Sequence, residues 1–317
     1  MKILAPTDNI DEVDGLISAG VDEFYGGFIP YNWFREYGVE GSPNRRNFLS
    51  AQIKSEKELF QIIEKAHSHN KRFYLALNQK LFSARQYLFM DNFIKYVGNI
   101  HADGLISADL GLNLFLKKGG YNIPVILSIL TQVMNSKSVK FYHGLGIKRI
   151  VLSCDLSLKE IGKIVKDNPS IEFEVLMLIG KCFNLEGFCS YEHCNPSRIW
   201  PCNQAYKITF DKKNNRESEV ARQIKVWSQT RRTDACGLCA LACLKKIGVK
   251  GLKIAGRGAN YERKKKSVES IKFLLDYLRN ETVDENEVFY ALARKKYEYI
   301  FGHGCTKANC YFPEIAV

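Results

Sequence analysis

Thiol sulfur is the most concentrated chemistry in this sequence. Ten cysteines occur, none before Cys154, and the others are Cys182, Cys189, Cys194, Cys202, Cys236, Cys239, Cys243, Cys305 and Cys310. Cysteines serving only as small core residues would scatter more evenly, so the clustering points to metal or redox use. Soft thiolates select zinc or iron-sulfur clusters, and four of them close either site. In GKCFNLEGFCSYEHCNPSRIWPC, Cys182 and Cys189 stand seven apart, and Cys194 and Cys202 follow on a stretch broken by Gly187 and Pro196. Such a loop can fold round a compact centre. In DACGLCALACLKKIG, Cys236, Cys239 and Cys243 are spaced i, i+3 and i+7, so one helix face could present all three. The alternative there is a tightly packed helix of small residues. Zinc ribbons use two C-x2-C knuckles and only one is present, which favours a cluster. Cys305 and Cys310, next to His303 in GHGCTKANCYFPE, read as structural tail residues, the alternative being a second centre closed with Cys239 and Cys243.

The elements that must position these thiols follow a βα rhythm. Short β-branched or aromatic runs, KILAP, DEFYGG, RFYLALN, GLISAD, PVILSI, RIVLSCD, EFEVLMLIG and GLKIAG, make eight strands, with helical patterns between them. Eight strands favour a (β/α)8 TIM-like barrel over a doubly wound sheet, which periodicity alone leaves open. Val268, Ile271, Leu274, Leu275 and Leu278 form one apolar helix face after the eighth strand. The chain therefore reads as one barrel domain over 1–317, with a long cysteine-rich insertion at 180–235 between strands seven and eight and a C-terminal helix and tail at 281–317. The gap between those two strands holds seven of the ten cysteines and opens at the C-terminal face of the barrel, where catalytic groups gather.

The formal charge is +12, and residues 207–266 alone hold seventeen Lys and Arg against five Asp and Glu, which equals the whole excess. A concentrated basic surface attracts RNA or an anionic small molecule; the alternative is a lysine-rich composition without that meaning. The opening MKILAPTDNIDEVDG has no apolar run resembling a signal peptide, and no run approaches a membrane span. These features read as a soluble, cytoplasmic protein.

The stretch EVLMLIGKCFNLEGFCS resembles the signature of peptidase family U-32, with Glu174, Cys182, Gly187, Cys189 and Ser190 at the matching places. Further blocks, AGVDEFYGG, RRNFLS, LALNQ, HADGLISADLG and GVKGLKIAGRG, extend the likeness over nearly the whole chain. The family includes collagenase-like proteases and oxygen-independent hydroxylation proteins that act on transfer RNA, ribosomal RNA or the ubiquinone ring. The resemblance implies a four-iron four-sulfur (4Fe-4S) cluster on Cys182, Cys189, Cys202 and Cys236, with Cys194 as a competitor for the third place. It also implies prephenate as an oxygen donor and a partner subunit of the same family. The chain departs from the family pattern at Cys154, where Arg is usual, and at Ala255, where KIEGR becomes KIAGR.

Polar residues at strand ends supply a candidate pocket. Tyr25, Asn78 and Asn135 are candidate substrate-binding residues, Arg257 a candidate anion clamp and catalytic residue, and Asp109 a candidate base. Plainer roles exist for each: Asn78, Asn135 and Asp109 as helix caps, Tyr25 as a plug of the barrel end. Three functions follow. The first is an iron-sulfur enzyme hydroxylating, or otherwise modifying by redox chemistry, an RNA base, aromatic ring or peptide. The second is a metal- or cysteine-dependent peptidase, although no H-E-x-x-H or G-x-S-x-G motif is present and only His193, beside Cys194, hints at a nucleophile pair. The third is a non-catalytic electron-transfer subunit.

Overall fold

The structure, a computed structural model, describes residues 1–39, 41–182, 185–188, 232–280 and 287–315. Eight parallel strands close in sequential order: β1 (Lys2–Pro6), β2 (Glu23–Gly26), β3 (Arg72–Leu77), β4 (Gly104–Ser107), β5 (Val125–Leu127), β6 (Arg149–Val151), β7 (Glu172–Leu178) and β8 (Gly251–Ile254). β8 returns to β1 with Gly251 opposite Lys2, so no strand edge is left open. All eight coincide with the runs expected from the sequence, and the TIM-like barrel stands.

Helices α1 (Val13–Ala19), α3 (Glu56–Ser68), α4 (Ala84–Asn99), α5 (Leu110–Lys118), α6 (Ser136–Gly144), α7 (Leu158–Asp167), α8 (Leu241–Ile247) and α9 (Tyr261–Asn280) return the chain between strands or after β8. A short α2 (Tyr31–Tyr37) interrupts the β2–α3 connection, and α10 (Glu287–Phe301) follows the barrel. Side-chain caps fix several starts. Ser83 with Gln86 and Ser157 with Glu160 form reciprocal capping boxes on α4 and α7. Val268, Ile271, Leu274, Leu275 and Leu278 of α9 are all buried, as their spacing requires. Among the described residues no helix is long and apolar enough to cross a membrane.

Alternate residues of each strand point into the barrel. Leu4, Tyr25, Tyr74, Ile106, Ile126 and Val151 form an apolar interior cluster. Beside them the interior is charged: the Arg149 guanidinium on β6 pairs with Glu23 of β2 on one side and Glu174 of β7 on the other. Gly251 makes room for this layer, since a Cβ there would lie 2.4 Å from Glu174 Cγ.

A second buried ion group closes the barrel seam. Lys264 of α9 is fully buried and donates to Asp8 and to both Glu12 oxygens, at 3.0 and 2.9 Å. Asp8 Oδ2 also accepts from the Gly258 backbone N–H at 2.6 Å, so the loops after β1 and β8 are held together. Removing the cation would strand two buried carboxylates. Lys264→Ala is expected to cost about 3–5 kcal/mol of unfolding free energy. Urea denaturation measures this, and a loss below about 1 kcal/mol, the size of a surface pair, would show that the seam does not depend on it.

Candidate active site

The loops at the C-terminal ends of the strands enclose a cavity of about 640 Å³. Its most distinctive wall is Arg257, which follows β8 between Gly256 (φ 116°) and Gly258 (φ 73°). These left-handed glycines turn the backbone so that the guanidinium enters the mouth. It is 7% exposed and donates to Asn44 Oδ1 at 2.9 Å, Asn44 O at 2.6 Å and Asn78 Oδ1 at 3.4 Å. All three acceptors are neutral, and among the described residues no carboxylate forms an ion pair with Arg257. Burial, and then the nearby Arg46, push its pKa down to about 10, so it remains a cation at neutral pH. Arg45 and Arg46 line the same cavity. Together they make a positive recess suited to a carboxylate or phosphate.

The floor of the cavity is Lys253, the residue four before Arg257. Its ammonium lies 4.4 Å from the centroid of the Tyr25 ring, and burial pushes its pKa down to about 8 against the opposing pull of Glu174. Tyr25, also buried, donates its hydroxyl to Ile254 O at 3.0 Å. On the wall facing β5 and β6, Glu186 lines the cavity and accepts from Gln132 Nε2 at 3.1 Å. Burial raises the Glu186 pKa, the hydrogen bonds only partly opposing it.

Three of the five candidate pocket residues, Tyr25, Asn78 and Arg257, thus meet at one cavity. The other two do not line it. Asp109 caps α5: its oxygens accept from the backbone N–H groups of Gly111 at 2.5 Å, Leu112 at 3.4 Å and Phe82 at 2.6 Å. Asn135 caps α6, accepting from Ser138 N at 2.9 Å. Both occupy the plainer role that the sequence allowed. Of the departures from the family pattern, Ala255 lines the cavity, whereas Cys154 sits beside Glu186 with its thiol pushed well above the usual range by burial.

The cysteines divide. None of the seven described cysteines is in a disulfide. Ile179 (φ 64°) and Gly180 (φ 92°) turn the chain sharply out of β7, and Cys182 then lines the mouth cavity. Cys189, Cys194 and Cys202 lie outside the described residues. Cys236 lines a different cavity, shared with Cys239, Cys305 and Cys310. The cysteines expected to share one cluster are therefore not brought together within the described residues. Nor do Cys236, Cys239 and Cys243 share one helix: Cys236 is bridged as an extended residue to Leu178 and Cys310, and Cys239 lies in the 3-10 turn Leu238–Ala240 before α8. Burial pushes the Cys236 thiol well above its ordinary range, and pushes Cys239 up to about 11, with Cys310 and Cys305 adding to both.

Lys253, Arg45, Arg46, Glu186 and Asn44 are site residues that pattern reading did not single out. A signal existed for Lys253, a lone cation inside a strand of otherwise apolar residues and glycine. Of the basic residues in 207–266, Lys253, Arg257 and Lys264 are buried at or under the mouth, so part of the charge excess is not a surface at all.

Similarity to known proteins follows this geometry. The tRNA hydroxylation protein P of Escherichia coli (strain K12) is 25% identical over 222 residues, covering 69% of this chain and 46% of that protein. The protein of the same name from Haemophilus influenzae is 27% identical over 188 residues, covering 59% and 38%. An uncharacterized protease of Methanocaldococcus jannaschii is 25% identical over 220 residues, covering 66% and 49%. The chain thus spans less than half the length of these curated relatives. The solved U32 peptidase Mk0906 shares the fold with a TM-score of 0.52 at 13% identity, covering 81% of this chain and 93% of that one. The model for peptidase family U32 matches residues 8–313, and the chain belongs to that family.

Proposed function

We propose that this protein is an oxygen-independent hydroxylase of a nucleobase in RNA, working in the cytoplasm, with transfer RNA as the first substrate to test. The observation that carries the reading is the roughly 640 Å³ mouth cavity, walled by a buried Arg257 that has no carboxylate partner among the described residues and floored by Lys253. Relatives named for tRNA hydroxylation support the choice of substrate class. Arg257 can grip a carboxylate or phosphate through two parallel hydrogen bonds, while Asn44 and Asn78 hold the guanidinium plane in place. Prephenate, a dicarboxylate, is the proposed oxygen donor, and the Arg257, Arg46 and Lys253 side of the cavity suits its charge.

The proposed cofactor is a 4Fe-4S cluster, which would supply electrons or an open iron site. Cys182, Cys189 and Cys202 with Cys236 are its ligands by family resemblance. The position of Cys182 on the mouth cavity supports this set, while the place of Cys236 in it rests on the resemblance alone.

Mass spectrometry of RNA nucleosides from cells with and without the protein tests the reading directly. A nucleoside heavier by one oxygen should vanish without it and return with the wild-type chain but not with Arg257→Ala. An unchanged nucleoside profile would refute the proposal.

Prephenate binding by calorimetry should also depend on pH. Lys253 carries its proton below about pH 8 and releases it above, so its charge helps an anion at pH 7 and is lost by pH 9, while Arg257 stays charged. Affinity should fall about tenfold across that range, equivalent to about 1.4 kcal/mol. Lys253→Met should flatten the profile. A pH-independent affinity in the wild-type protein would remove Lys253 from the binding site.

A further inference from the structure

Away from the mouth, the C-terminal tail folds back beside β7 and encloses a cavity of about 180 Å³. Two segments far apart in the chain deliver thiols to it. Cys236 is held between them: Ile179 N–H donates to Ala235 O at 2.9 Å and Gly237 N–H to Met177 O at 2.8 Å, which ties this stretch to the end of β7. On its other side Cys236 N–H donates to Asn309 O, and Tyr311 N–H donates to Cys236 O, both at 2.9 Å. Cys310 is therefore locked alongside Cys236 by backbone pairing. Cys239 enters from the 3-10 turn that follows, and Cys305 from the loop after α10.

Core packing accounts for part of this gathering, since Cys236 and Cys239 pack against the barrel core, but it does not account for Cys305. Cys305 is exposed and lies in the polar run GHGCTKANC, where a small apolar side chain has nothing to bury. Cationic side chains stand at the same cavity. Arg294 and Lys307 line the cavity, and Lys181 Nζ donates to Cys310 O at 2.6 Å. Leu238 N–H donates to Cys236 Sγ at 3.4 Å, the kind of hydrogen bond to sulfur that tunes an iron-sulfur cluster.

The size of the space discriminates between metals. A single zinc ion with bonds of about 2.3 Å needs its sulfurs within about 3.8 Å of one another. Among the described residues no three Cys, His, Asp or Glu side chains gather closely enough to hold one ion. Four thiols spread round a cavity of about 180 Å³ suit a body that itself fills the space. We infer that Cys236, Cys239, Cys305 and Cys310 hold a 4Fe-4S cluster in this cavity, apart from the mouth. This assignment moves Cys236 out of the mouth set, where the family resemblance alone puts it, and leaves Cys182, Cys189 and Cys202 as the proposed ligands of the mouth cluster. Tyr311, next to Cys310, donates its hydroxyl to Ile179 O at 2.8 Å, and Ile179 lines the mouth, so one residue layer connects the two cavities.

The test uses the full chain, purified without oxygen and reconstituted with iron and sulfide. The double variant Cys305→Ser/Cys310→Ser should lose about four iron and about four sulfide per chain, and Cys182→Ser should leave that complement in place. Melting curves confirm that the variants remain folded. A second measurement needs no variant: Cys305, exposed in the protein, should resist iodoacetamide in the iron-loaded chain and react once a chelator strips the iron. The inference fails if the double variant keeps all its iron and sulfide, if Cys305 is alkylated equally in both states, or if the tail thiols bind one zinc. Loss of all iron in Cys182→Ser, with none lost in the double variant, would leave only the mouth cluster standing. The reverse would remove the mouth cluster and keep this one.

Discussion

Arg257 brings a positive charge into the buried wall of the mouth and, among the described residues, is met there by the neutral oxygens of Asn44 and Asn78. An ion so placed forfeits several kcal/mol of hydration unless its donors are satisfied, and full neutralisation by a carboxylate would remove its attraction for a ligand. The surrounding architecture meets both conditions. The Asn44 amide is oriented by Gln52, which accepts from Asn44 Nδ2 at 2.7 Å and donates to Asn44 Oδ1 at 3.1 Å. That leaves the Asn44 oxygen facing the guanidinium. Gly27 is forced by the same contact, because a Cβ there would lie 2.3 Å from Arg257 Nη1. The whole β2–α3 connection, with its extra helix α2, can be understood as the device that holds Asn44 and Gln52 at this place.

Below the mouth, the charged interior serves a related end. Glu23 and Glu174 share the single Arg149 guanidinium across β2, β6 and β7, and Lys2 also reaches Glu23 at 3.4 Å. Lys253 stands next to them without an ion pair of its own among the described residues. Its ammonium is therefore stabilised by the field of Glu174 and by the Tyr25 ring, which offset only part of the burial cost. A lysine in this state gives up its proton easily and faces the cavity. The barrel floor thus supplies a charge that responds to pH, and the mouth supplies one that does not.

The barrel was legible in the sequence because strands buried on both faces show as short β-branched runs between helical periods, and all eight were delimited in that way. The charged interior was not legible. Glu23, Arg149, Glu174 and Lys253 lie in strands separated by up to 230 residues, and only closure of the barrel makes them neighbours. Polar residues at strand ends were ambiguous for a different reason. A strand's C-terminal end is also the start of a helix in this fold, so Asp109 and Asn135 could be either ligands or caps. Both do cap, through hydrogen bonds to the helix N-termini. Asn78 and Arg257, with no helix to cap, turn to each other instead.

The thiols show the same limit more sharply. Spacing of i, i+3 and i+7 implies one helix face only if the segment is helical from its first residue, and here it is not. Pairing of Cys236 with Leu178 and Cys310 extends the backbone at the very position where the helix would have begun. That pairing turns Cys236 towards the tail, and the tail brings Cys305 and Cys310 to it from about 70 residues away. A distant segment can be joined at small entropic cost once α10 has packed against α9 and returned the chain to the barrel. The placement of the tail beside β7, which no local pattern encodes, is therefore what determines which cysteines can share a metal.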